Sequence, residues 1–191
     1  TFSAAENQLA IGAVTASDPE GDTVTFSVSG SELAITQAGI LTFVALADYE
    51  TKSSYTAAVT ASDGTNTTTQ NITVTVTNIN DNSPVFTSGA SFSAAENQTG
   101  IGTVTATDAD GDAVTFTVSG SDLRITSAGV LTFASAPDYE ATTSYSATVT
   151  ASDGTNTTTQ NITVTVTNVN EAPSFTSGAS FSAAENQTGI G

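Results

Sequence analysis

Cysteine, histidine, methionine and tryptophan are all absent from this 191-residue chain, and only two basic side chains, Lys52 and Arg124, stand against 19 acids. Without Cys or His there is no ordinary zinc, copper, haem or iron–sulfur site, no thiolate nucleophile and no imidazole base. A formal net charge of −17 excludes nucleic acid as a partner, because its phosphates must be neutralised by Lys and Arg. The same shortage disfavours anionic membrane surfaces, and no apolar run approaches the ~20 residues of a spanning helix. No membrane insertion is therefore expected. The long helix formers Lys, Arg and Met are nearly missing and Leu is sparse. What is present in quantity is Val, Ile, Ala, Phe and Thr, a mixture that suits half-buried strands. An all-β fold follows.

Self-comparison finds a repeat of 90 residues. Residues 59–78 recur unchanged at 149–168, and residues 86–102 recur at 175–191. This period is far longer than the roughly 20–50 residues of solenoid repeats and long enough for each copy to be a domain. The expected units are 1–81, 82–171, and a first strand of a third repeat in 172–191. The chain starts and stops partway through the pattern, so it is expected to be a piece of a longer array.

Within each copy, apolar and polar residues alternate with period two. Ile72, Val74 and Val76 face one way while Thr73, Thr75 and Thr77 face the other, and Tyr55, Ala57, Val59 and Ala61 repeat the pattern. Turn signals such as Glu20-Gly21-Asp22, Ala38-Gly39 and Asp63-Gly64 separate the runs. Seven short strands are predicted near 1–5, 11–17, 23–28, 33–36, 40–44, 55–62 and 68–77. Seven alternating strands in about 90 residues argue for a Greek-key, immunoglobulin-like sandwich.

The acids fall mostly between strands, at repeat-equivalent positions. Glu6, Asp18, Glu20, Asp22, Asp48, Glu50 and Asp63 of the first copy are matched by Glu96, Asp108, Asp110, Asp112, Asp138, Glu140 and Asp153 of the second, with Asp81 between them. One reading is a solvated, self-repelling surface. The other is a set of cation ligands: like charges crowded into loops repel, and calcium takes 6–8 oxygen ligands from carboxylates, amides and carbonyls. Asp108-Ala109-Asp110-Gly111-Asp112 alone is a turn as readily as a metal loop. It lacks the closing Glu and the flanking helices of an EF-hand.

The order of these motifs resembles the cadherin repeat. Ala5-Glu6-Asn7 and Ala95-Glu96-Asn97 are similar to its Pro-Glu-Asn motif, and Asp48-Tyr49-Glu50 and Asp138-Tyr139-Glu140 to its Asp-Arg-Glu. Asp108-Ala109-Asp110 looks like its Asp-x-Asp, with Asp18-Pro19-Glu20 as a variant. Asn78-Ile79-Asn80-Asp81-Asn82-Ser83-Pro84-Val85-Phe86 closely matches its linker. The resemblance implies tandem seven-stranded sandwiches joined by calcium-binding linkers, with three calcium ions at the junction. Glu6, Asp48 and Glu50 would come from the upstream base, Asn80, Asp81 and the Asn82 carbonyl from the linker, and Asp108, Asp110 and Asp153 from the downstream top. Glu96, Asp138, Glu140, Asn170 and Glu171 would form the same base one repeat later, and Asp18, Glu20 and Asp63 the top that faces an upstream neighbour. Asn78 and Glu171 depart from the family pattern, which has Asp at both places. The absence of Trp, together with the Thr-rich strands, makes the chain look like the cadherin-like repeats of bacterial or other microbial surface proteins.

The function this implies is a calcium-rigidified extracellular stalk or fibre segment of a surface adhesin. Its partners would be neighbouring repeats of the same chain, and copies of itself if a terminal strand completes a neighbour's sheet. A carbohydrate-binding module binding surface glycans is the alternative. It would need exposed aromatics for stacking, and only Tyr49 and Tyr139 look free. Catalysis is not expected, because paired acids duplicated in each repeat suit shared ligands better than a single cleft.

Overall fold

The computed structural model describes residues 1–189. The first repeat is built from β1 (Phe2–Ala5), β2 (Ala10–Ala13), β3 (Thr25–Val28), β4 (Leu33–Ile35), β5 (Ile40–Phe43), β6 (Ser54–Ser62) and β7 (Thr67–Thr77). Four of these form a sheet in the order β1-β7-β6-β3, and the other three form a sheet in the order β2-β5-β4. Every pairing is antiparallel except β1 with β7. The chain crosses repeatedly from one layer to the other, which makes a Greek-key sandwich of the immunoglobulin kind.

The second repeat follows the same plan. After β8 (Val85–Phe86) come β9 (Ser91–Ala95), β10 (Gly100–Thr103), β11 (Ala106–Thr107), β12 (Thr115–Val118), β13 (Leu123–Ile125), β14 (Val130–Phe133), β15 (Ser144–Ser152) and β16 (Thr157–Thr167). Its two sheets run β12-β15-β16-β9 and β10-β14-β13, and β8 pairs with β11 alongside them. No helix occurs among the described residues.

The period-two pattern explains the packing. Val59, Ile72, Val74 and Val76 point inward from β6 and β7 and meet Leu33, Leu41 and Phe43 from the opposite sheet. Val149, Ile162, Val164, Val166, Leu123, Leu131 and Phe133 do the same in the second repeat. Phe43 meets the Tyr55 ring edge-on at 5.0 Å, and Phe133 meets Tyr145 at 5.2 Å. The outward positions of the long hairpins are paired hydroxyls and small side chains, such as Thr56 opposite Thr73 and Thr60 opposite Thr69. These faces carry no charge, so the acids are confined to the ends of each sandwich.

Two expectations change. The second strand, predicted over 11–17, stops at Ala13 in the first repeat. In the second repeat it resumes at Ala106–Thr107, where Val85–Phe86 supplies a pairing partner. Residues 172–189, expected to open with the first strand of a third repeat, form no strand. Their counterpart β9 exists through parallel pairing with β16, and among the described residues no strand pairs with 180–184.

One glycine is required by geometry. Gly129 adopts φ 86°, and a Cβ there would lie 2.1 Å from the Val104 carbonyl oxygen, a distance no contact can occupy. Gly39 repeats the arrangement against Val14. Replacing Gly129 by Ala is expected to lower the unfolding free energy by at least about 2 kcal/mol, from backbone strain plus the clash. Leu131→Ala, at a side chain with no exposed surface, should cost about 2–5 kcal/mol. Chemical denaturation of each variant checks both values.

Candidate metal centre

Each sandwich ends at its base in a buried glutamate. Glu6 follows β1, where Asn7 enters the left-handed region at φ 61°, a conformation Asn tolerates better than most residues. The strand stops there and the carboxylate turns inward. Glu6 is only 2% exposed, and both of its oxygens are used. Oε2 accepts the Tyr49 N–H at 2.8 Å and Oε1 accepts the Ile79 N–H at 2.7 Å. One carboxylate thus ties the Asp48-Tyr49-Glu50 turn to the start of the linker. Glu96, also 2% exposed, repeats this with Tyr139 at 2.8 Å and Val169 at 2.7 Å.

The linker then runs between two sets of polar groups. On the upstream side Asn7 Nδ2 donates to Asp81 Oδ2. On the downstream side Asp110 is the main acceptor. Its Oδ2 takes the N–H groups of Asp81 at 3.1 Å and Asn82 at 2.8 Å, and its Oδ1 takes Asn82 Nδ2 at 3.0 Å. Asn78 Nδ2 donates to the Asp110 carbonyl at 2.8 Å. The linker is therefore hydrogen-bonded to both repeats.

These bonds gather Glu6 and Glu50 of the first repeat, Asp81 of the linker and Asp110 of the second repeat. One oxygen from each lies within 4.8 Å of all the others. Asp108, Asp110 and Asp112 form a second group, and Glu96, Asp138 and Glu140 a third. Asp110 belongs to both junction groups. Among the described residues the one salt bridge is Lys52 with Glu32, neither of them a member of these groups, so no carboxylate of the groups is paired with a basic side chain.

The electrostatic consequences are visible. The Glu50 carboxyl is pushed above its ordinary value by partial desolvation, then by repulsion from Glu6 and the neighbouring Asp110. Desolvation also opposes ionisation of Asp110, but the Asn82 amide and backbone N–H groups outweigh it and hold its carboxyl low. Asp108 Oδ1 accepts the N–H groups of Asp110 at 3.0 Å and Asp112 at 3.4 Å, whereas its Oδ2 is buried with no partner. An orphaned charged oxygen is costly. An all-oxygen donor set with one unfilled buried oxygen fits a hard cation such as calcium.

The predicted ligands are not all drawn together. Glu6, Glu50, Asp81 and Asp110 converge, and Asp108 stands with Asp110 in the adjoining group. Asp48 is spent on its own turn, accepting the Thr51 N–H at 3.0 Å and the Thr51 hydroxyl at 2.9 Å, and these bonds hold its carboxyl low. Asp153 accepts the N–H groups of Thr155 at 2.7 Å and Asn156 at 2.6 Å. Asn80 Oδ1 and the Asn82 carbonyl both accept from Asn156 Nδ2. At the upstream end of the first repeat, Asp18 and Asp63 likewise hold their own loops, and Glu20 joins no group. At the downstream base, Glu171 accepts Asn97 Nδ2 at 2.6 Å, while Asn170 has no side-chain hydrogen bond among those described. Asp112, which is outside the predicted ligand set, groups with Asp108 and Asp110. Its place in Asp-x-Asp-Gly-Asp was the available signal. Tyr139, which looked free, packs against the core of its repeat, whereas Tyr49 stays exposed.

Residues 80–167 match the family described as a bacterial Ig domain. No curated protein sequence matches the chain. Among solved structures, the chain is similar to human protocadherin-24 EC1-2 (20% identity, 87% of this chain and 94% of that one, TM-score 0.69). It is also similar to mouse cadherin-23 EC22-24 (23%, 88% and 62%, TM-score 0.72) and chicken VE-cadherin EC1-2 (21%, 87% and 97%, TM-score 0.65). At these identities the likeness shows the fold: the repeats are cadherin-like sandwiches in tandem.

The carboxyl shifts set the pH response of the protein in cation-free buffer. A raised carboxyl such as Glu50 favours the folded state below its unfolded value and loses that contribution as pH rises. The lowered carboxyls of Asp48, Asp63, Asp110 and Asp153 contribute above their ordinary 3.8 and lose it as pH falls. The melting temperature in chelator should therefore rise as pH drops from 7 toward the ordinary Glu50 value of 4.5 and fall again below about 3.8. Glu50→Gln should flatten the upper part of that profile, as a thermal melt series would show.

Proposed function

We propose that this chain is a segment of an extracellular stalk or adhesin whose successive sandwiches are held in line by calcium at their junctions. The observation that carries the reading is the group Glu6, Glu50, Asp81 and Asp110, drawn from one repeat, the linker and the next repeat, with no basic residue to balance it. Crowded carboxylates without counter-charge would splay a junction. Bound calcium supplies the positive charge that converts this repulsion into attraction across the linker.

The residues suited to hold it are Glu6, Glu50, Asp81, Asp108, Asp110 and Asp112. Glu6 supports the site from below, because its burial and two N–H bonds fix the linker's path. Asp110 belongs to both groups and so couples them. Asp48 and Asp153, together with the Asn80 and Asn82 oxygens, keep lone pairs beyond the hydrogen bonds they accept and complete the proposed set. The domain units 1–81 and 82–171 follow from placing this junction between them. Glu96, Asp138 and Glu140 are proposed to do the same for the next neighbour.

A spacer built this way needs no catalytic group, and stiffness and length suffice. Copies of the same sandwich in series, with uncharged hydroxyl faces and acids confined to the ends, support that use. The cadherin-like architecture supports an extracellular location.

The test is thermal unfolding and small-angle scattering of the whole chain in millimolar calcium and in chelator. Calcium at 100 times its dissociation constant should add about 2.7 kcal/mol to stability, and the two repeats should sample a narrower range of relative orientations. Asp110→Asn should weaken the response more than Asp112→Asn, because only Asp110 serves both groups. A melt and a scattering profile indifferent to calcium would leave the acids as a solvating surface and end this reading.

A further inference from the structure

The loop between β15 and β16 carries a side chain that reaches back across the junction. Asp153 Oδ1 accepts the N–H groups of Thr155 at 2.7 Å and Asn156 at 2.6 Å, closing a tight Asx turn. The turn leaves the Asn156 amide over the linker. Its Nδ2 donates to Asn80 Oδ1 at 2.8 Å and to the Asn82 carbonyl at 3.0 Å, with Asp153 Oδ2 at 3.3 Å. All three partners are acceptors here, so the orientation of the amide is determined. Turned over, its own oxygen would face three others.

The first repeat supplies a comparison within the same molecule. Residues 59–78 and 149–168 are the same sequence. Asp63 makes the same turn, accepting Thr65 N–H and Asn66 N–H at 2.6 Å each, and Asn66 Nδ2 makes the same 3.3 Å approach to Asp63 Oδ2. The linker bonds are what distinguish the two asparagines: among the described residues Asn66 Nδ2 meets Asp63 alone. Asn156 is half-buried and Asn66 is exposed.

We propose that Asn156 is the positioning residue of the junction, a clasp that seats the linker on the downstream repeat and fixes the Asn80 and Asn82 oxygens without itself touching a cation. The clasp acts whether or not a cation is present. Its second consequence rests on the calcium reading. Oxygens already ordered by Asn156 cost less conformational freedom when they bind, so Asn156 raises affinity for calcium from outside the ligand set. The equivalent Asn66 is poised to do the same for a linker arriving from upstream.

The experiment compares Asn156→Ala with Asn66→Ala in the full chain. Inter-repeat alignment is read by residual dipolar couplings in chelator, and calcium binding by titration calorimetry. Both variants lose the same turn contact, so shared effects cancel. Asn156→Ala should loosen the alignment in chelator and weaken calcium binding about five- to tenfold, the net worth of one or two hydrogen bonds. Asn66→Ala should change neither. Asn156→Asp, which keeps the size but turns the donor into an acceptor, should loosen the chelated alignment at least as much as Ala. Identical alignment in Asn156→Ala and wild type would overturn the clasp. Absence of calcium binding by the wild type would instead overturn the calcium reading and leave the alignment result to decide the clasp alone.

Discussion

The junction depends on one buried carboxylate. Glu6 lies at the base of its sandwich with almost no exposure and satisfies its charge with two backbone N–H groups, one from the Tyr49 turn and one from Ile79 of the linker. Burying an acid this deeply is costly unless each oxygen is bonded, and here the bonding partners are the segments that must be brought together. Were that carboxylate removed, the turn and the linker would lose the buried anchor they share. Glu50 and Asp81 would then lose the framework that sets them opposite Asp110. Glu96 repeats the construction with Tyr139 and Val169, so the device belongs to the repeat.

From that anchor the charge pattern follows. The outward faces of the β6–β7 and β15–β16 hairpins are covered by Ser, Thr and small residues paired across strands, which keeps these long surfaces neutral in a chain of net charge −17. The acids are left to the sandwich ends, where they meet the acids of a neighbouring end. A protein with two basic residues in 191 cannot neutralise such an encounter by itself. The raised Glu50 carboxyl and the unpartnered Asp108 Oδ2 are two expressions of this one imbalance.

The two repeats also show how far context can alter one sequence. Val104 and Phe116 are buried, whereas Val14 and Phe26 at the equivalent positions are only half-buried. The difference is β8, whose Phe86 ring lies 6.3 Å from that of Phe116 and which forms a separate two-stranded pair with Ala106–Thr107. Linker residues therefore serve twice. Asn78–Asn82 build the polar junction, and the residues just after them close the core of the next sandwich.

The amino-acid sequence by itself determined the alternating core strands of the two repeats and their sandwich class, and marked where the linker lies. Side-chain alternation in a strand is a local property, legible wherever Val or Ile alternates with Thr, as it does from Ile72 to Thr77. The linker was legible because its Asn- and Asp-rich run interrupts that pattern once per repeat. What only the tertiary structure decided was which carboxylates face one another. Asp48 and Asp153 share the residue type and loop setting of Asp110, yet they turn back to bond their own backbone, because a short acidic side chain in a tight turn finds its nearest N–H donors locally. Asp110 and Asn156 both meet the linker because segments 28–76 residues apart converge there. No spacing along the chain encodes that meeting. It follows from the path Glu6 and Asp110 impose on the linker, and that path exists only once both sandwiches have folded.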